Sequence, residues 1–139
     1  MMSIMEIVNE YPPNFAAIIK RFPAVEKMPF VVVTYGDKIY NPSGKDLPPY
    51  LVTHESVHVQ QQEKIGVEEW WRKYLEMDWF RLEQEVEAYH AEYKHFCKLS
   101  KDRNEQNGFL NYIATNLSSP LYGNLIRKSD AMVRIATGL

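Results

Sequence analysis

The segment His54-Glu55-Ser56-Val57-His58 holds the residues of this chain that are best suited to chemistry. On a helix, histidines four positions apart lie on one face with their Cβ atoms about 5–6 Å apart. Both imidazoles can then bind one ion such as Zn²⁺. Glu55 is rotated about 100° around the helix axis, so it can take a proton from water instead of binding the ion. The spacing predicts metal-assisted hydrolysis, against the alternative of two ordinary helical histidines.

A catalytic zinc site needs a third protein ligand and one open position. No third histidine follows at close spacing, although His90 and His95 occur later in the chain. The acidic run that contains Glu83, Glu85 and Glu87 offers better candidates. On a helical wheel the apolar stripe of this segment consists of Leu82, Val86, Tyr89 and Tyr93. Glu85 and Glu83 flank that stripe on opposite sides and are nearly tied as ligands, whereas Glu87 points away and is expected to be a solvated charge.

Proline placement indicates which elements hold these residues, because seven of the eight prolines lie before residue 50. That part should form short elements: a helix over 15–20 and a hairpin of strands 29–35 and 38–40 that turns at Gly36-Asp37. The rest should form helices over 50–64, 67–76, 78–100 and 109–117, with a polar loop over 101–108. Ser118-Ser119-Pro120 should begin another short helix, and Ser129-Asp130 should cap the last one.

The predicted fold class is therefore α+β and mostly α-helical, with a small β-hairpin followed by the HExxH helix and a helical bundle. Its 139 residues fit a single domain over 1–139. A formal charge of -2 argues against nucleic acid as a partner, and the lack of a long apolar run argues against membrane insertion. Glu6 and Glu10 stand where a signal peptide would be basic and apolar, so none is expected.

His54-Glu55-x-x-His58 followed by Glu85-Val86-Glu87-Ala88 resembles the gluzincin pattern of HExxH and then E-x-x-A-D. The resemblance implies a minimal gluzincin-like fold, Zn²⁺ as cofactor and Glu85 as the third zinc ligand. Position 89 departs from the pattern, because Tyr89 stands where many members have an aspartate that supports a zinc-binding histidine. The contacts behind the metal ligands should therefore differ from those of the family or be weaker.

A narrower resemblance covers about residues 50–126 and concerns small HExxH proteins of tailed bacteriophages and prophages, which are described broadly as metallopeptidases. It rests on the phrases at 53–61, 80–85 with Ala88-Tyr89, and 117–123. The resemblance implies a location in a phage virion or in the bacterial cytoplasm, with other phage structural proteins as partners.

Several further residues have both a functional and a plain structural interpretation. The phenol of Tyr122 could stabilise a transition state as an oxyanion donor, although core packing is the simpler role. The aromatic residues at 70–80 favour a core over a carbohydrate platform. Gln60, Gln61 and Gln62 favour a solvated helix end over contacts to the site. The strand that ends at Tyr35 could bind an extended peptide at its edge, or merely cover the HExxH helix.

Two functions follow from these residues. The first is a zinc-dependent peptidase that acts on a peptide or protein, with zinc held by His54, His58 and Glu85 and with Glu55 as general base. The alternative is a phage virion structural or assembly protein with a vestigial or structural zinc site, closed by a fourth ligand such as His90 or Glu83. A small immunity or regulatory protein is a weaker third option.

Overall fold

The computed structural model describes residues 5–139, and its β-structure is one small sheet in that part of the chain. The strands are β1 (Glu6–Val8), β2 (Val33–Tyr35) and β3 (Lys38–Tyr40), in the order β1-β3-β2. β2 pairs antiparallel with β3 as the predicted hairpin, and β1 pairs parallel with β3. The predicted strand from residue 29 is too long, because Val33 already pairs with Tyr40. Pro42 follows directly after Asn41, has no N–H group and cannot extend the ladder.

Six α-helices make up most of the described chain, so the mostly helical α+β prediction is confirmed at that level. They are α1 (Phe15–Arg21), α2 (Pro49–Ile65), α3 (Val67–Glu76), α4 (Asp78–Leu99), α5 (Arg103–Leu117) and α6 (Lys128–Thr137). Two short 3₁₀ helices cover Pro23–Lys27 and Pro120–Tyr122. None of the helices in residues 5–139 combines the length and apolar character that crossing a membrane requires.

The polar stretch over 101–108 is mostly helix, so the predicted loop is wrong there. The Asp102 carboxylate accepts hydrogen bonds from the backbone N–H groups of Asn104 and Glu105 and so caps α5. Near position 120 the expected helix is a single 3₁₀ turn capped by Ser119. At α6 the predicted cap is also wrong, because Asp130 lies inside the first turn and no side chain caps the helix.

α4 is the central helix, and α2 packs antiparallel against it. The side chain of Thr53 meets His95 at one end of this pair, and Gln61 meets Gln84 at the other. Two apolar clusters lie around the pair. A helical cluster contains Val86, Tyr89, Phe109, Leu110, Ile113, Ala114, Leu117, Ala131 and Ile135. An aromatic cluster contains Ile18, Phe22, Val25, Trp70, Trp71, Tyr74 and Phe80.

The aromatic residues at 70–80 are therefore core residues, as expected, with one exception. Trp70, Trp71, Tyr74 and Phe80 are buried, whereas Trp79 is 65% exposed. Trp79 follows directly after the first residue of α4 and faces away from the cluster that holds its neighbour Phe80.

Candidate metal centre

α2 buries polar side chains where an ordinary amphipathic helix buries apolar ones. His54, Glu55 and His58 are each at most 5% exposed, as is Glu85 of the facing helix α4. The Oε1 atom of Glu85 lies 3.1 Å from His54 Nε2 and 3.3 Å from His58 Nε2. One ligand atom from each of these three residues lies within 4.8 Å of the others. The structure thus brings the three predicted metal ligands together, and the group is able to hold a metal ion.

The other nitrogen of each imidazole faces an acceptor, which fixes where the proton of the neutral ring lies. His54 Nδ1 is 2.8 Å from Glu92 Oε1, and His58 Nδ1 is 2.8 Å from Gln61 Oε1. Both Nδ1 atoms therefore carry hydrogen, and in the neutral rings both Nε2 atoms present lone pairs. Those lone pairs point at a carboxylate oxygen of Glu85. The contact is repulsive unless a proton or a cation lies between the atoms.

The distances from Glu85 to the two imidazoles also suit zinc. With bonds of about 2.1 Å, two ligand atoms of a tetrahedral zinc ion lie about 3.4 Å apart. The distances from Glu85 Oε1 to the two Nε2 atoms, 3.1 and 3.3 Å, are close to that value. Two of the three ligand-to-ligand distances therefore fit a tetrahedral zinc ion.

The structure separates the three glutamates that the helical wheel left nearly equal. Glu85 is 3% exposed, and its second oxygen accepts a hydrogen bond of 2.6 Å from the Tyr74 hydroxyl. Glu83 is exposed and accepts a hydrogen bond from Arg134 on the far side of α4. Glu87 is exposed too, but its carboxylate accepts from the Gln61 amide at 2.8 Å and is not simply a solvated charge. Only Glu85 of the three meets the histidines.

Glu92 supports His54 from a position that the sequence analysis did not single out. The family pattern places an aspartate at position 89, one turn before Glu92 on the same face of α4. Tyr89 fills position 89 and lays its ring edge-on against His54, with the centroids 4.4 Å apart. This geometry is consistent with the expectation that contacts other than those of the family support the zinc-binding histidine. The spacing of Glu92 from Glu85, two helical turns, was the available signal.

Gln61 supports His58, and the prediction of a solvated helix end is wrong for Gln61 and Gln62. Both glutamines are buried, whereas Gln60 is exposed. The Gln61 amide nitrogen donates to the Gln84 carbonyl and to Glu87, which leaves its oxygen for His58. Gln62 bridges α2 to the hairpin, because it donates to the Thr34 carbonyl and accepts from the Gly36 N–H.

The charges of the site shift the pKa values of its members in opposite directions. Burial alone would lower the pKa of His54, but its hydrogen bonds to Glu85 and Glu92 outweigh burial and raise it well above the usual value. Burial also opposes the charge on His58, and the Glu85 carboxylate outweighs it, so the pKa of His58 is raised. For Glu85, burial is outweighed by His58 and His54, and its pKa is lowered. Without a metal ion, the two imidazoles therefore bind protons more tightly than a free imidazole does.

Glu55 lies beside the three ligands without joining them. Its Oε2 atom is 3.9 Å from His54 Nε2, and its Oε1 atom accepts a hydrogen bond of 2.9 Å from the Thr34 hydroxyl on β2. Burial raises the pKa of Glu55, and this effect exceeds the opposing effect of the two histidines. A buried carboxyl with a raised pKa, held just outside a ligand set, is suited to accept and return a proton.

Tyr122 lines a cavity that His54, Glu55, His58 and Glu85 also line, and its hydroxyl is 2.6 Å from that of Tyr89. Arg81, which is fully buried, places this tyrosine and also Tyr74. Its guanidinium donates to the Tyr122 carbonyl at 2.8 Å and to the Tyr74 carbonyl at 2.6 Å. Sequence reasoning missed Arg81, because an arginine in a charged helix gives no sign of burial.

A cavity of about 120 Å³ opens onto the site. Its lining joins the site residues to side chains of the aromatic cluster and to Val31, Val32 and Val33. Trp71 also lines it, and its indole N–H has no acceptor among residues 5–139.

The remaining histidines lie away from the site. His90 Nδ1 is 2.7 Å from the Ile135 carbonyl, and His95 is paired with Thr53. Neither they nor Glu83 add a fourth ligand, because the described part of the chain contributes three residues to the group. A four-coordinate ion held by these three residues alone would have one position left for another ligand.

Comparison of this chain with protein-family models, with curated proteins and with solved structures finds no match. Its functional interpretation therefore depends on the geometry of the site.

Proposed function

We propose that this chain is a zinc-dependent peptidase of minimal gluzincin type that acts on a peptide or protein. One observation carries the proposal. Two imidazoles, each fixed by its Nδ1 hydrogen bond, turn their Nε2 atoms toward Glu85, while Glu55 lies beside them without a place in the ligand set. That division into three ligands and a separate carboxyl is what metal-assisted hydrolysis requires.

Zinc is the ion that this donor set favours, since two imidazoles and one carboxylate are typical of catalytic zinc sites. When bound, zinc would supply a Lewis acid that polarises a carbonyl group and lowers the pKa of water. His54, His58 and Glu85 would hold the ion, and Glu92 and Gln61 would keep the imidazoles in the required orientation.

The chain itself provides the proton transfer and the binding surface. Glu55, oriented by Thr34, would take a proton from the attacking water and pass it to the leaving amine. The Tyr122 hydroxyl would donate to the oxygen that becomes negative in the transition state. β2 lies at one edge of the sheet, carries Thr34 and borders the cavity, so an extended peptide could align along it.

The test compares the wild type with Glu55→Gln on a mixed peptide library, with zinc content measured in parallel. We expect the variant to keep its zinc and to lose several orders of magnitude in turnover, because the base is gone and the ligands remain. Glu83→Gln is the matched control, since Glu83 is exposed and away from the site. Equal cleavage by the wild type and Glu55→Gln would refute the mechanism.

A phage virion structural or assembly protein, with a vestigial or structural metal site, is the second candidate. One observation favours it: the four central side chains are at most 5% exposed and the cavity is small. If neither the wild type nor Glu55→Gln cleaves any peptide while both hold one zinc ion, this candidate replaces the peptidase.

A further inference from the structure

A second polar surface lies on the side of the α2–α4 pair that faces away from the cavity. It is a groove of about 780 Å³ whose walls are formed by both helices, from Phe80 to Lys98 along α4 and from Thr53 to Ile65 along α2. At a rise of 1.5 Å per residue, the α4 wall is about 27 Å long. The volume lies in the range of ligand-binding sites. Of the residues that line this groove, only Gln61 has a role in the proposed function.

The charged residues of the groove are mostly basic. Lys64, Lys94 and Lys98 line it, and none of the three forms an ion pair within residues 5–139. Glu87 is the one carboxylate in its lining within that range, and one of its oxygens already accepts a hydrogen bond from Gln61. A chain with a formal charge of -2 thus has a local excess of positive charge here.

Uncharged polar side chains of the groove offer donors as well. Gln84 accepts from the Trp70 indole with its side-chain oxygen, which leaves its NH₂ group to donate. Gln60 is exposed at the groove and adds a second amide group. Between these groups lie the small apolar side chains of Val57 and Ala91. A ligand that matches the groove must supply several acceptors with negative charge and some apolar surface.

We propose that this groove binds an acidic segment of another protein. Carboxylates of the segment would pair with Lys64, Lys94 and Lys98, and its apolar side chains would lie on Val57 and Ala91. A length of about 27 Å corresponds to about eight residues of extended chain. Nucleic acid fits less well, because three lysines neutralise few phosphates and affinity for nucleic acid depends on the number of phosphates neutralised.

The proposal is tested with a fluorescein-labelled octapeptide of sequence Leu-Glu-Glu-Leu-Glu-Glu-Leu-Glu and with its copy that has glutamine in place of every glutamate. Binding to the full chain is measured by fluorescence anisotropy at low and high salt. We expect the acidic peptide to bind more tightly than the glutamine peptide. We also expect its affinity to fall as salt rises, because the contacts are ionic and exposed.

The variant Lys94→Gln/Lys98→Gln should weaken binding of the acidic peptide about tenfold, since it removes two ion pairs. The matched control is Lys20→Gln/Lys27→Gln, which makes the same charge change on exposed lysines outside the groove and should change the affinity less than about twofold. An equal loss in both variants would overturn the proposal, because it would show general charge attraction.

Two further results would also overturn it. One is equal affinity for the two peptides. The other is tighter binding of an eight-nucleotide single strand than of the acidic peptide, lost in Lys94→Gln/Lys98→Gln, which would make the groove a nucleic-acid site. The zinc content of each protein is measured as well, so that failure here is distinguishable from failure of the metal site.

Discussion

The cavity side and the groove side of the α2–α4 pair balance their charges in opposite ways. On the cavity side, three buried carboxylates face two imidazoles, so negative charge is in excess even when both rings are protonated. These residues are Glu55, Glu85, Glu92, His54 and His58. On the groove side, three exposed lysines face one carboxylate that is already hydrogen bonded.

Burial decides what each imbalance means. An uncompensated buried charge costs several kcal/mol, so the cavity side must take up protons or a cation, and the raised pKa values of His54 and His58 reflect the first choice. Exposed lysines are solvated and screened by salt, so their imbalance costs little. The folded protein therefore needs bound protons or a cation on the cavity side, whereas the groove side is stable without a ligand.

The largest effect should come from removing an imidazole. His54→Ala or His58→Ala leaves two protein ligands, and we expect metal affinity to fall beyond the about 10–100-fold range seen for supporting residues. Metal analysis after dialysis against zinc-free buffer checks this, with about one equivalent of zinc expected for the wild type. Full occupancy in either variant would show that the imidazoles do not hold the metal.

Replacing the carboxylate ligand should have the next largest effect. Glu85→Gln removes the charge between the two imidazoles, and we expect a far greater loss of zinc affinity than in Glu83→Gln or Glu87→Gln. Competition with a chelator measures all three. If Glu83→Gln were the damaging change, the third ligand would be another residue and the resemblance to the E-x-x-A pattern would fail.

Much of the site could be predicted because its information is local. The i and i+4 spacing of His54 and His58 places both rings on one face of any helix, whatever surrounds it. The hairpin and the bounds of α3 could be predicted for the same reason, since turn residues and helix ends act over a few positions. The assignment of Glu85 as third ligand could not be made from spacing alone. The helical wheel left Glu85 nearly tied with Glu83, and only the family resemblance favoured Glu85.

The features that sequence reasoning missed depend on contacts between distant residues. β1 is three residues long and forms only because β3 lies beside it. Gln61 and Arg81 are polar residues whose burial is decided by the partners that α4, α3 and the 3₁₀ turn bring to them. Helix periodicity predicts the face on which a residue lies. It does not predict whether another element provides a hydrogen-bond partner for a polar residue buried on that face.

Glu92 provides a test of how the cavity side is supported. Glu92→Gln keeps an acceptor for His54 Nδ1 but removes its charge, and we expect zinc affinity to fall about 10–100-fold. Glu87→Gln is the control, because Glu87 reaches His58 only through Gln61. An unchanged affinity in Glu92→Gln would mean that Tyr89 and the helix packing hold His54 well enough without the charge.

The pH dependence of stability should differ between the metal-free and the zinc-bound protein. In the metal-free protein the pKa values of His54 and His58 lie above the usual value of 6.5, so the folded state keeps protons that the unfolded state releases above that pH. Stability should then fall as pH rises, by up to about 1.4 kcal/mol per pH unit for each proton. The raised pKa of Glu55 adds a loss of the same sign, beginning near pH 4.5.

The lowered pKa of Glu85 has the opposite effect on stability. Its ionised carboxylate stabilises the folded protein, and this stabilisation is lost only as pH falls below about 4.5. Zinc requires neutral imidazoles and displaces their protons, so the zinc-bound protein should not lose stability between pH 6.5 and 8.5. Urea unfolding across that range, with and without a chelator, measures both slopes. If stability changed with pH in the same way with and without the chelator, zinc would not be replacing protons on the two histidines.

Substitutions on the groove side should have the smallest effect on stability and on zinc content. This distinguishes the groove side from the cavity side. Lys94→Gln/Lys98→Gln removes charges that are exposed and have no ion-pair partner in the described chain, so the melting temperature should shift by less than about 3 °C. Zinc content should stay at the wild-type value. A clear rise in melting temperature would mean that the lysines repel one another enough to strain the fold. Lys94 and Lys98 would then lower the stability of the free protein, and binding of an acidic partner would offset that loss.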